Sequence, residues 1–139
     1  MGPILKDQVC YALYSTSGIV TQAYSSLLKR LKLTYPQFVV MMALWQKDGV
    51  SVTTLAHQVG ISKATLSPML KNLEASGFLY RNTVPGNDRV KSIVLTELGT
   101  KSVTEGETIA KAALCATGLS DEEAATLIGL CNKIKNNLR

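Results

Sequence analysis

The chain has 139 residues, of which 46% are hydrophobic and 18% charged, and this predicts one compact domain. That composition excludes a disordered or low-complexity chain, because enough apolar surface exists to offset the entropy of ordering. Fifteen Lys and Arg against ten Asp and Glu leave a net charge of +5. The excess lies in residues 1–95, which permits a phosphate-binding face without proving one.

Residues 5–31 read as a long helix. Leu5, Val9, Leu13, Val20, Ala23, Leu27, Leu28 and Leu31 follow a helical period, and Gly18 is the weak point. Thr34 caps a second helix with Pro36 in its first turn, running to about Lys47 and stopping at Gly49. It is apolar nearly all round from Phe38 to Trp45, so it is the expected core helix, with Met41 and Met42 as packing residues.

Ser51 caps a short helix over 52–59, Gly60-Ile61 turns the chain, and Ser62 caps a helix over 63–76 closed by Gly77. Two such helices joined by a short turn containing Gly form a helix-turn-helix. The period then becomes extended: Phe78–Arg81 and Val90–Leu95 read as strands around a turn-rich Pro85–Arg89, which is a wing. Thr96 caps a helix from Glu97 to about Cys115, broken by Gly118. Ser120–Glu123 is a capping box that opens a last helix striped by Leu127, Leu130, Cys131, Ile134 and Leu138.

The fold class is therefore mainly α with a small β-hairpin wing, an α+β winged helix-turn-helix. Residues 1–139 form one domain, with 34–96 as the DNA-binding part. Residues 5–33 and 97–139 are the N- and C-terminal dimerisation helices, because their apolar faces lack a cover within one chain. The longest apolar run, Phe38–Trp45, falls far short of the roughly 20 residues of a membrane span. The N-terminus lacks a basic-then-apolar signal pattern, so a cytoplasmic location is expected. Three cysteines, one histidine (His57) and no Cys-x-x-Cys pair point to neither a metal site nor a cofactor.

The element order, Leu66–Gly77 and the wing ending in Leu95-Thr96-Glu97-Leu98-Gly99 resemble the MarR family of winged-helix transcriptional repressors. Asp7–Tyr14 and Leu33–Phe38 are similar to the organic-hydroperoxide sensors of that family, the OhrR type. Cys115–Ser120 resembles the second-cysteine segment of their two-cysteine branch. The likeness covers nearly the whole chain. It implies a cytoplasmic homodimer that binds a pseudo-palindromic operator in double-stranded DNA, with organic hydroperoxide as effector.

A recognition helix presents its N-terminal side chains to base edges in the major groove while neighbouring groups hold phosphates. Here that face offers Ser62, Lys63, Thr65, Ser67, Lys71 and Asn72. The wing adds Arg81, Asn87, Asp88, Arg89 and Lys91, and Arg89 fits the narrow, negative minor groove. Asn87 stands where the family usually has Asp, which leaves open what orients Arg89. The wing charges also fit a solvated loop.

Cys10 and Tyr14 are four residues apart and share a helix face, and Tyr24 returns to that face fourteen residues on. Along a continuous helix Tyr24 lies roughly 21 Å from its own Cys10, so only an antiparallel partner helix brings the two together. Two phenol hydroxyls donating to a thiolate favour its ionisation. In the resembled sensors, tyrosines at these positions bind the reactive cysteine, which implies a thiolate-supporting role for Tyr14 and Tyr24. The resemblance also implies a disulfide between Cys10 and Cys115 of the partner subunit, although a bond within one chain stays open. Cys131 is expected as a packing thiol.

Three functions compete: a repressor switched by organic hydroperoxide, a repressor released by a small phenolic ligand, and a thiol peroxidase. The last lacks the alternating strands and helices of a thioredoxin-like enzyme and leaves the wing without a use, so no catalytic residue is assigned.

Overall fold

The computed structural model describes the backbone of residues 1–84 and 86–139 and, outside 84 and 87–90, their side chains. Helix α1 (Val9–Leu27) is flanked by 3-10 turns at Leu5–Asp7 and Leu28–Arg30. The helix expected over 5–31 is therefore interrupted at Gln8, whose backbone is extended. Its side-chain amide donates to the Ile4 carbonyl at 3.1 Å, the acceptor that a continuous helix would give to the Gln8 backbone N–H. Cys10 consequently lies in the first turn of α1.

Helix α2 (Tyr35–Gln46) opens on a complete capping box. The Gln37 amide N–H donates to Thr34 Oγ1 at 3.3 Å, and the Thr34 N–H donates to Gln37 Oε1 at 3.0 Å. Phe38, Val40, Met41, Ala43 and Leu44 are buried, which makes α2 the centre of the core. Each large apolar side chain sealed there contributes about 1.5–3 kcal/mol.

The helix-turn-helix comprises α3 (Val52–Val59) and α4 (Lys63–Ala75). Gly60 takes φ +76, a left-handed conformation that closes α3 and that side chains with a Cβ disfavour. Leu55, Ala56, Leu66, Leu70 and Leu73 are buried and join the core built around α2.

Strands β2 (Leu79–Val84) and β3 (Asn87–Leu95) make the wing hairpin, and β1 (Val50–Ser51) adds to its other side in the order β1–β3–β2. The sheet thus has three antiparallel strands where a two-stranded hairpin was expected. A two-residue strand that follows Gly49 and ends on the Ser51 cap is too short to carry a period of two. The hairpin also outruns the expected strands, because pairing continues through the polar residues Asn82 and Thr83 to the Thr83–Lys91 pair. Asn87, Asp88 and Arg89 are therefore strand backbone, not turn.

The single helix expected over 97–115 is two helices, α5 (Glu97–Lys101) and α6 (Val103–Thr117). They meet at Ser102, whose buried hydroxyl donates to the Gly99 carbonyl at 2.6 Å. Helix α7 (Asp121–Leu138) starts from the Ser120–Glu123 capping box. Val9, Leu13 and Ile19 on α1 and Leu127, Ile128 and Leu130 on α7 are exposed. A groove of about 640 Å³ runs between these two helices. Among the described residues, no helix is long and apolar enough to cross a membrane.

Candidate nucleic-acid interface and thiol sites

Helix α4 buries Leu66, Leu70 and Leu73, and this fixes which side chains turn outward. Lys63, Thr65, Lys71 and Asn72 are exposed, together with Pro68, which reading by charge and polarity passed over. Proline has no amide hydrogen, so Pro68 cannot return a bond to the carbonyl four residues back. Ser62 serves as N-cap: its Oγ accepts from the Thr65 amide at 3.1 Å and donates to Thr65 Oγ1 at 2.9 Å. Ser67 is half-buried and donates to the Lys63 carbonyl at 2.9 Å. These three hydroxyls are engaged locally, whereas Lys63, Lys71 and Asn72 project from the helix.

Glu74, absent from the sequence-derived candidates, is the brace between recognition helix and wing. Its carboxylate accepts from the Arg81 backbone N–H at 3.2 Å and from the guanidinium at 3.0 and 3.3 Å. Arg81 thereby spends its fork inside the chain. Lys91 donates through Nζ to Thr83 Oγ1 at 2.8 Å across the hairpin. The side chains of Asn87, Asp88 and Arg89, also candidates, lie outside the described residues.

Cys10 is exposed, beside first-turn amides that have no intrahelical acceptor. Tyr14 is 80% exposed one turn on. Tyr24 is half-buried in its own chain, with ring centroids 4.8 Å from Tyr35 and 5.7 Å from Phe38. Burial, and secondarily the neighbouring Tyr35, raise its phenol above the ordinary value, so it keeps its proton and remains a donor. Cys115 is exposed near the end of α6. Cys131 is half-buried and lines the open groove between α1 and α7. His57 is exposed in the last turn of α3. Between α1 and α6, Ile19, Val20, Ala23, Tyr24, Ala113, Ala116 and Thr117 line a cavity of about 110 Å³. No group of three or more His, Cys, Asp or Glu suited to a metal occurs among the described residues.

A helix-turn-helix followed by a β-hairpin defines a winged-helix protein. A model of the MarR family matches residues 33–91. The chain is 30% identical over 131 residues to the HTH-type transcriptional regulator MgrA of Staphylococcus aureus, covering 94% of this chain and 89% of that protein. It belongs to the MarR family of winged-helix transcriptional regulators. It is also 40% identical over 95 residues to the HTH-type transcriptional regulator TtmR of Methylorubrum extorquens. Over 95 residues it is 36% identical to the organic hydroperoxide resistance transcriptional regulator of Bacillus subtilis. Those two matches cover 68% of this chain but only 49% and 65% of the relatives' own lengths.

Among solved structures, overoxidized AbfR bound to DNA superposes with a TM-score of 0.76 at 29% identity, covering 97% of this chain and 95% of that one. A disulfide-formed AbfR superposes at 0.72 with 28% identity, covering 96% and 92%. AbfR comes from Staphylococcus epidermidis.

Proposed function

We propose that this protein is a homodimeric DNA-binding transcriptional repressor that senses organic hydroperoxides through Cys10. The DNA-binding reading rests on the outward face of α4, where Lys63, Lys71 and Asn72 project beside the wing. Residues 34–96 contact one half-site of a pseudo-palindromic operator in duplex DNA, and 5–33 with 97–139 form the dimer. Lys63, Lys71 and Asn72 meet base edges and phosphates, and Arg89 enters the minor groove. Half-sites then lie about one helical turn apart.

The sensing reading is supported by the exposure of Cys10 in the first turn of α1, where a hydroperoxide can reach its sulfur. Likeness to AbfR, crystallised in DNA-bound, overoxidized and disulfide forms, supports it further. The Cys10 thiolate attacks the terminal oxygen of the hydroperoxide. The O–O bond breaks, leaving Cys10 sulfenic acid, and the departing alkoxide takes a proton to become the alcohol. The thiol of Cys115 of the partner subunit then attacks that sulfur, forming the disulfide and releasing water. Tyr14 and Tyr24 support the thiolate, with Tyr24 acting across the dimer. A disulfide requires Cα atoms within about 7 Å, so closing it pulls the end of α6 and tilts the attached wing. A phenolic ligand is less well served beside Tyr24, where the cavity of about 110 Å³ is below the roughly 300 Å³ of small-molecule sites, and on this reading the larger groove between α1 and α7 is taken up by the dimer.

The test combines non-reducing electrophoresis and operator binding after treatment with an organic hydroperoxide. The wild type and Cys131→Ser should form a covalent dimer and release DNA. Cys10→Ser and Cys115→Ser should form none and hold the operator. A covalent dimer lost only in Cys131→Ser would reassign the resolving thiol, and a stoichiometric burst without sustained turnover would exclude a peroxidase.

A further inference from the structure

The joint between α5 and α6 is the place where the helix carrying Cys115 meets the base of the wing. Four contacts converge there. The Gly99 carbonyl accepts two hydrogen bonds, from the Trp45 indole N–H at 2.9 Å and from the Ser102 hydroxyl at 2.6 Å. A Cβ at Gly99 would run into the Phe78 carbonyl, so α5 is pressed against the residue that opens β2. On the other side of the joint, a Cβ at Gly106 would strike the six-membered ring of Trp45, so the indole lies directly on α6. Trp45 therefore touches both helices at once. It also packs edge-on against Phe38 with ring centroids 5.9 Å apart, and Phe38 packs on Tyr24.

We infer that Trp45 is a positioning residue that converts movement of α6 into movement of the wing, and so sets how strongly oxidation releases DNA. This rests on the redox reading above and adds the part that transmits the signal. A pull on the end of α6 slides Gly106 past the indole. The indole N–H is tethered to Gly99, so the displacement passes through α5 to Phe78 and the first wing strand. A merely space-filling tryptophan would stabilise reduced and oxidised protein alike and would leave the ratio of their DNA affinities untouched.

Trp45 is the single tryptophan of the chain, so its emission reports this joint directly. On treatment with an organic hydroperoxide, wild-type emission should shift at the rate of disulfide formation, with no shift in Cys10→Ser or Cys115→Ser. Trp45→Phe keeps an aromatic ring at this position but deletes both the donor to Gly99 and the outer ring edge that meets Gly106. In the wild type, oxidation should lower operator affinity about 5–150-fold, the usual range of coupling between sites. In Trp45→Phe that ratio should shrink about fivefold, as expected for one lost hydrogen bond, with the reduced protein's affinity little changed. DNA release undiminished in Trp45→Phe, or release in the wild type without any emission change, would overturn the inference and leave the redox reading standing. Wild-type protein that neither forms the disulfide nor lets go of DNA would remove the redox reading, and this inference with it. The emission arm needs no change at Trp45, so a poorly folding Trp45→Phe would not shield the proposal.

Discussion

The Glu74 carboxylate holds both the backbone amide and the guanidinium of Arg81, tying the last turn of the recognition helix to the first wing strand, β2. Both side chains are about one-third exposed, so solvent screens the charge attraction, and the hydrogen bonds supply most of the hold. On the proposed DNA-binding reading, the two parts that meet adjacent grooves of one duplex are thereby kept at a fixed spacing.

Replacing Glu74 by Ala should lower stability by about 1–2 kcal/mol in urea unfolding, the scale of hydrogen bonds to a charged partner discounted for exposure. Operator affinity should fall as well, although Glu74 is itself an acid and a poor neighbour for phosphate. If Glu74→Ala instead tightened DNA binding, simple charge repulsion would outweigh the brace.

Gly106→Ala should destabilise the fold by about 1–3 kcal/mol, because the added methyl meets the rigid Trp45 ring and one of the two must move. Gly129→Ala is the control, since a Cβ there has open space. Thermal unfolding of both variants checks the contrast.

Arg89→Ala should weaken operator binding without changing dimer formation or the rate of Cys10 oxidation. If one phosphate contact disappears, the slope of log affinity against log salt should flatten by about one unit. Unchanged affinity across a salt titration would return Arg89 to the status of a solvated wing charge.

The Tyr24 phenol supplies a pH test. Burial, then Tyr35, raise its pKa above the ordinary 10.0, so the folded chain holds this proton more tightly than the unfolded one. Its contribution to stability is complete below the ordinary value and is lost as pH rises through the raised, folded value. Tyr24→Phe should therefore lose less stability than the wild type between mildly and strongly alkaline pH. Urea midpoints across that window give the comparison, and parallel losses would show that Tyr24 is not the group responsible.

Much of the fold was legible because local chemistry and global packing agree. Thr34, Ser51, Ser62, Thr96 and Ser120 each cap the helix their positions predicted. The outward face of α4 is set by the burial of Leu66, Leu70 and Leu73 on its other side. What escaped were features decided by single contacts. Gln8 interrupts the first helix through one side-chain bond to Ile4, and Ser102 divides α5 from α6 where its hydroxyl and Trp45 both claim the Gly99 carbonyl. Neither leaves a mark on hydrophobic periodicity. Glu74 escaped because its partner is seven residues away on another element, a distance at which pairing depends on the turn between them.

The exposed apolar flanks of α1 and α7 bear on how the molecule comes into being. Around α2 one sealed core runs from Phe38 and Leu44 through Leu55 and Leu70 to Ile93, with Leu28 and Ile109 from the flanking helices joining it, and it can condense within one chain in a first-order step. Val9 and Leu13 on one edge and Leu127 and Leu130 on the other gain their burial only when a second surface arrives. Refolding should then show a fast phase independent of protein concentration, followed by a slower one whose rate rises with it. In a cell, the final ordering of these helices would keep pace with how many copies have been made.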